Sequence, residues 1–443
     1  MALRPKKYTT IEQGAVDAET PVKSALSLPD IKPQSSIAVL DRGAYSDRRA
    51  TFPIEKVLPV VGLSNTFVRR AVGNKRLLTI PDVLRLLDLD AYSETFVTRS
   101  KVIEYLLKLD TASFIESEPE LHNGVALVND DALSFLRRLP AASIQCVVTS
   151  TPYWGLRLYK DSCNINWADG STSAYGHEQT PESFVRHTAE MLWEIGRVLK
   201  DDGSIWWNIM DSFNTRTQIR GNAAEALRAM QGKDKRRWTQ HECRRYSAGH
   251  AHLKDGEQCL IPGRIAERAS RLGLYVKSVI TWAKTSTLPE PQESRVSRSL
   301  EYVLHLSKVR TPLFDKSAYR ALPPSLGGRN NGSETDKLSD VWTLSTSAGR
   351  DGHGAQFPVA LPSRCIALSS REGDLVLDPF VGAGNSGVAA IALGRRFIGV
   401  DVSREYLKTA ARKIDAAKME RHKVPLEKIV EVAESGVPYD PLM

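Results

Sequence analysis

The hydrophobic positions of this 443-residue chain change period several times, and each change marks a boundary. Residues 1–50 are polar, proline-bearing and without period, which predicts a flexible N-terminal arm. Over 51–120 the runs IEKVLPVV, SNTFVRRAV, IPDVLRLLDL and RSKVIEYLLKL carry apolar residues at helical spacing, so a helical region is expected. The break Gly62-Leu63-Ser64-Asn65, with Ser64 or Asn65 as N-cap, has helix-turn-helix spacing. DNA contact and plain packing are both open for this segment.

From Gly124 onward strands and helices alternate. VALVN, SIQCVVTS, GSIWWNIMD, YVKSVITWAK, LEYVLHLSK, DLVLDPF and RRFIGVDVS read as strands. DDALSFLRRL, PESFVRHTAEMLWEIGRVLK, IPGRIAERASRLG, PVALPSRCIALSS, NSGVAAIALG and REYLKTAARKIDAAK read as helices. The alternation predicts an α/β domain over 121–420, a doubly wound, mostly parallel, Rossmann-like sheet with helices on both faces. Ligands of such sheets sit beyond the carboxyl ends of the strands, where Thr149-Ser150 and Asp378-Pro379 both fall. Residues 421–443 form a C-terminal tail.

Two stretches interrupt the rhythm. Residues 214–258 hold ten Lys/Arg against five acids, and KDKRRW and CRRY interleave basic with aromatic residues. A phosphate-contacting insert is the functional reading and a solvated loop the alternative. Residues 315–350 are loop-rich, a candidate target-recognition region.

Charge and composition narrow the class. A net charge of +8 and a pI near 9.1 favour an anionic partner such as nucleic acid. No run approaches 18 apolar residues, so no membrane partner is expected, and MALRPKKYTT lacks the apolar core of a secretory signal. Five widely spaced cysteines, at 146, 163, 243, 259 and 365, fit free thiols in a reducing cytoplasm. His241, Cys243, His250, His252 and Cys259 lack the spacing of paired ligands, so no metal is expected. His305 reads as a strand histidine, and Trp206-Trp207 as core whose strand end borders a pocket. Glu290 and Arg295 read as a structural ion pair or part of a loop over the cleft.

DLVLDPFVGAGNSGVAAIALG is a strand, a glycine turn at Gly382-Ala383-Gly384, and a helix whose first turn takes Asn385 and Ser386. Asp401 ends the next strand, 17 residues after Gly384, where an acid accepts from two ribose hydroxyls. Dinucleotide dehydrogenases share this layout. The acid and proline just upstream, Asp378-Pro379, repel phosphate and attract the ammonium of an amino-acid-like ligand, which points to S-adenosylmethionine rather than NAD.

The run Thr149-Ser150-Thr151-Pro152-Tyr153-Trp154 ends an apolar strand in hydroxyls, a proline and two aromatics. It reads either as a strand-ending turn or as a pocket for something flat. Methyl transfer to the exocyclic amine of a base needs two acceptors to orient the amine and a ring to hold the base. Ser150, the Thr151 carbonyl and Tyr153 supply these parts, and the base has to be flipped out of its duplex to reach them.

These segments, in this order, resemble the amino-methyltransferases of DNA, which modify adenine N6 or cytosine N4. Catalytic motif first and glycine loop last is similar to the family's circularly permuted β group, and the resemblance runs from about Gly124 to Lys418. It implies S-adenosylmethionine as cofactor, held by Asp131 at the adenine and by Phe357, Asp378, Phe380, Gly382, Gly384, Asn385, Ser386 and Asp401. It implies Ser150, Thr151, Pro152 and Tyr153 as the catalytic turn. Trp154, Arg236 and Arg237 are expected to contact the substrate, double-stranded DNA. Serine at position 150 accompanies cytosine-N4 activity in this family, with adenine-N6 as the alternative. The chain departs from the family's Pro-Pro at Thr151, which keeps a carbonyl but loses proline's fixed φ and leaves open a non-catalytic DNA-binding scaffold. An RNA substrate is a weaker alternative. The resemblance further implies a cytoplasmic, nucleoid-associated bacterial or phage protein of a restriction–modification system. A cognate endonuclease, and monomer or homodimer, stay open.

Overall fold

The computed structural model describes residues 51–86, 118–155, 161–214, 253–287, 293–328, 338–346 and 357–423, apart from a few isolated positions within them. The chain divides into two units, Met1–Ser46 and Asp47–Met443, and every described residue belongs to the second. The N-terminal arm, most of the third and all of the fourth expected N-terminal helix, the body of the basic insert with Arg236 and Arg237, and the tail lie outside the described residues.

The first elements are β1 (Thr51–Pro53), α1 (Ile54–Val61), α2 (Asn65–Val72) and β2 (Leu77–Thr79). Strands β1 and β2 pair antiparallel around the two helices, a correction to the all-helical expectation for 51–120. Three residues are too few to show a period-2 pattern. Five of the eight α1 residues are buried, because the helix is enclosed by β1, α2 and a later helix of the main domain.

The main domain continues with β3 (Val125–Asn129), α3 (Ala132–Arg138), β4 (Ile144–Ser150), a small pair β5 (Ile165–Asn166) and β6 (Thr172–Ser173), and α4 (Pro181–Val198). Then come β7 (Leu199–Ile209), α5 (Ile261–Arg271), β8 (Tyr275–Lys284), β9 (Leu300–Ser307), α6 (Lys316–Arg320) and β10 (Val341–Leu344). The chain closes with α7 (Ala360–Ser369), β11 (Leu375–Asp378), α8 (Asn385–Ala392), β12 (Arg396–Asp401) and α9 (Arg404–Lys423).

Eight of these strands form one sheet in the order β10-β8-β9-β7-β4-β11-β12-β3. All neighbours are parallel except β9, which runs against both β7 and β8. This is the doubly wound, mostly parallel α/β sheet that the alternation predicts. Strand β4 is buried from Ile144 to Thr149, which explains its near-continuous apolar run between two helix layers. Two hydrophobic clusters fill those layers, one around α3, α4 and α5, the other around α7 and α8.

Strand β10 corrects the loop-rich reading of 315–350. Trp342 sends its ring into the second cluster and donates Nε1–H to Ser339 O at 3.1 Å, so VWTL becomes the sheet's edge. The four described cysteines other than Cys243 are free thiols, three of them buried. His305 stacks on Trp206 with centroids 3.9 Å apart, and burial drives its pKa down to about 3, so it is a neutral strand residue.

The turn between α1 and α2 lies at a telling place. Ser64 Cβ sits 3.4 Å from where a Cβ on Gly273 would be, just ahead of β8, at the amino edge of the sheet. Strands of ten residues are about 33 Å long. The carboxyl edge, where ligands of such sheets sit, is therefore about a strand length from this turn, which supports the packing reading.

Trp206 is 1% exposed and also donates Nε1–H to Ser369 Oγ at 2.9 Å. Trp206→Ala is expected to cost about 3–5 kcal/mol of stability, read from urea denaturation.

Candidate active site

Strands β4 and β11 lie side by side at the sheet's centre, with Val376 opposite Cys146 and Leu377 opposite Val147. From β11 the chain crosses through α8 to β12 on one side; from β4 it crosses through α4 to β7 on the other. The two strand ends thus flank the topological switch point, where such sheets open a crevice. Just beyond the paired residues, Thr149 Oγ1 donates to Asp378 Oδ1 at 2.6 Å. This bond joins the catalytic turn to the glycine loop.

Asp378 is 1% exposed and also accepts from the Ser386 hydroxyl and from the Phe380 amide at 3.0 Å. Burial pushes its pKa up to about 6 against the pull of those three donors. Enclosed in this way and held by Ser386, Asp378 shapes the loop and does not reach out to a ligand's ammonium, which corrects that expectation. Asp401 is the carboxylate nearer the crevice. It accepts from Gly382 N at 3.0 Å and Ser403 N at 2.8 Å, stays partly exposed, and burial raises its pKa too.

The two loop glycines have different jobs. Gly382, with φ +49°, has nothing within 4 Å of where a Cβ would stand, so its backbone faces open space. A Cβ on Gly384, with φ +88°, would lie 2.7 Å from Ala410 Cα, so this glycine serves the packing of α8 on α9. Asn385 donates to Phe357 O at 2.8 Å and ties the loop to the segment before α7. Phe357 is itself buried in the second cluster. Phe380 is partly buried, stacked on Tyr175 at 5.3 Å and edge-on to Trp207 at 6.3 Å.

Asp131 caps α3 by accepting from Ser134 N at 2.9 Å, a structural duty that the sequence reading missed. Its position follows from register, since Asn129 pairs with Asp401 and donates to Asp401 O at 3.0 Å. Asp131 and Asp401 are thereby brought to one end of the crevice.

In the catalytic turn, Ser150 Oγ lies 3.2 Å from both Asn208 Nδ2 and the Tyr153 hydroxyl. Asn208 Nδ2 also reaches Tyr153 Oη at 2.7 Å and Glu301 Oε2 at 2.8 Å, and Tyr153 donates to Glu301. Lys284 pairs with the other Glu301 oxygen. Thr151 is 2% exposed, and its amide donates to Asn208 O at 3.4 Å. Pro152 packs against Gly176, whose φ of +87° and lack of a side chain leave room for the turn.

Trp154 does not wall the pocket. It is 2% exposed in the first cluster, donates Nε1–H to Glu178 O at 3.0 Å, and accepts from Ser212 at its carbonyl, so it anchors the turn from below. Asn208, Glu301 and Lys284 were missed by the sequence reading. Glu301 carried a signal: an acid as the second residue of an otherwise apolar strand inside a sheet. The basic insert springs from the end of β7, closed at its root by the Phe213–Gln258 bridge, with the Arg295 guanidinium 3.8 Å over the Phe213 ring. It therefore leaves the carboxyl edge next to Ser150. Arg295 donates to Gly256 O at 3.2 Å and so fastens this root. Glu290 and four of the five residues weighed as metal ligands lie outside the described residues; the fifth, Cys259, is buried core.

Residues 144–412, from the first residue of β4 into α9, match the model of a family described as DNA methylase. The chain belongs to the DNA methylase family. This methylase is 34% identical over 298 residues to the Type II methyltransferase M.Cfr9I of Citrobacter freundii, covering 67% of this chain and 90% of that one. It is 33% identical over 305 residues to M.XycI of Xanthomonas campestris pv. cyanopsidis, covering 68% and 91%. Among solved structures it is similar to the cytosine-N4-specific PvuII DNA methyltransferase, at 19% identity and a TM-score of 0.44, covering 72% of this methylase and 93% of that chain.

Two outcomes follow for the methylase. Because Asp378 holds its proton more tightly folded than unfolded, its charge costs stability as pH rises from the ordinary carboxylate value of 3.8 to about 6. Asp378→Asn removes that dependence, so the variant gains about 2 kcal/mol relative to wild type between pH 4 and pH 7, read by urea denaturation at both. Gly384→Ala is expected to lose about 2 kcal/mol or more, and Gly382→Ala about 1 kcal/mol from backbone strain alone.

Proposed function

We infer that this methylase is an S-adenosylmethionine-dependent, site-specific DNA methyltransferase acting on the exocyclic N4 amine of a flipped-out cytosine. The observation that carries the reading is Ser150 at the end of β4, one strand from the glycine loop and joined to it by the Thr149–Asp378 bond. The residues present fit the cofactor. Gly382 offers bare backbone to open space, and Asp401 keeps acceptor capacity for a diol beside its two amide bonds. Asp131 Oδ2 makes no hydrogen bond among the described residues and is available to an amino group. When bound, the cofactor supplies an electrophilic methyl group on a sulfonium.

The chain's own residues hold the acceptor. Ser150 Oγ, 3.2 Å from both Asn208 Nδ2 and the Tyr153 hydroxyl, keeps a lone pair for the amine and a proton to donate. The Thr151 carbonyl is the second acceptor. Thr151 holds its place by burial and by its amide bond to Asn208, in place of the ring constraint of a proline. Tyr153 has its hydroxyl clamped by Asn208 and Glu301, which fixes the ring as the wall for the base. Serine at position 150 supports cytosine over adenine, by the family's own correlation.

Double-stranded DNA as partner is supported by family membership and by the basic insert's root at the carboxyl edge. The names of the Type II relatives support a place in a bacterial restriction–modification system. No helix among the described residues is long and apolar enough to cross a membrane.

Purified protein incubated with unmodified bacterial genomic DNA and S-adenosylmethionine is expected to yield N4-methylcytosine, read by mass spectrometry of the nucleosides. N6-methyladenine overturns the choice of base, and no methylated base overturns the reading. Ser150→Ala should lower kcat about 100-fold with little change in KM. Thr151→Pro should keep activity, since the carbonyl survives and only one long amide bond is lost.

A further inference from the structure

Glu301 is a carboxylate in the site that the strand-end motif does not contain. It is 7% exposed and meets three groups from three other segments. Lys284 from β8 pairs with Oε1 at 2.5 Å; Asn208 from β7 donates to Oε2 at 2.8 Å; Tyr153 from the turn donates to the same oxygen. Lys284 is the one cation among them.

The direction of these bonds follows from counting protons. A carboxylate only accepts, so the single proton of Tyr153 lies toward Glu301. The Tyr153 oxygen then has lone pairs for Asn208 at 2.7 Å and for Ser150 at 3.2 Å. The two protons of the Asn208 amide go to its nearer neighbours, Tyr153 and Glu301, and the Ser150 proton is free to point at Tyr153. Donors therefore run one way, from Ser150 through Tyr153 to Glu301.

We propose that Glu301 is the terminal proton acceptor of the methylation, reached through Tyr153 and Ser150; this rests on the exocyclic-amine reading above. An exocyclic amine that has gained a methyl group carries one proton more than its neutral product. That N–H bond breaks as an O–H bond forms on Ser150 Oγ. The former Ser150 proton passes to Tyr153 Oη, and the former Tyr153 proton to Glu301 Oε2. Both hydroxyls are restored, the amine is neutral, and the carboxylate ends as a carboxylic acid. Lys284, paired with the carboxylate's other oxygen, holds the group in place. Glu301 touches no substrate atom, so it acts as a positioning and proton-accepting residue behind the turn.

A merely structural Glu301, clasping β8 to β9 through Lys284, predicts different data. Glu301→Gln keeps an oxygen for Tyr153 but takes no proton. In single turnovers on unmodified genomic DNA its methyl transfer should fall about 100-fold, with affinity for S-adenosylmethionine and for DNA unchanged. An unchanged rate in Glu301→Gln, or a rate loss matched by lost affinity for S-adenosylmethionine or DNA, overturns the proposal. A wild type that methylates no base removes the amine reading and this proposal together; a methylating wild type with an indifferent Glu301→Gln removes this proposal alone.

Discussion

A carboxylate sealed inside a sheet needs donors on every open side, and Asp378 finds them on two different strands' ends. Burying an ionised carboxylate without partners costs several kcal/mol, so Thr149, Ser386 and the Phe380 amide are all held to it. Because one of these donors belongs to the catalytic strand and the others to the glycine loop, the two halves of the site cannot drift apart. The spacing between the glycine loop and the strand end at Ser150 is set here. Methyl transfer is a matter of positioning more than of strong acid or base, so a rigid join serves it well.

Most of the fold was legible because its elements are long and strongly periodic. The runs of β4, β7 and β9 and the amphipathic stretches of α4 and α5 declare themselves by spacing alone. What stayed hidden was short or depended on tertiary pairing. Strands β1 and β2 have three residues each, and VWTL at β10 becomes a strand only because β8 offers it an edge.

The site was legible to the same degree. Ser150, Thr151, Pro152, Tyr153, Gly382 and Asp401 come together as their spacing implies, because parallel strands deliver their last residues to one edge. The misreadings share one cause: sequence shows that a residue is near a site but not which way it faces. Trp154 turns inward to Glu178, Asp378 and Ser386 turn toward each other, and Gly384 answers to Ala410. Asn208 and Glu301 lie far from either motif in sequence, and only the pairing of β7 with β9 brings them to Ser150.

The reversed direction of β9 has an architectural consequence. Lys284 ends β8 and Glu301 is second in β9, so the connection between these strands begins and ends at the catalytic edge, its neck cinched by their ion pair. Lys284 N also bonds Ser299 O at 2.8 Å, and Arg295 within the connection reaches across to Gly256 O at the root of the basic insert. Two loops at one edge of the sheet are thus buttoned to each other, so a change of sequence in one is felt at the root of the other.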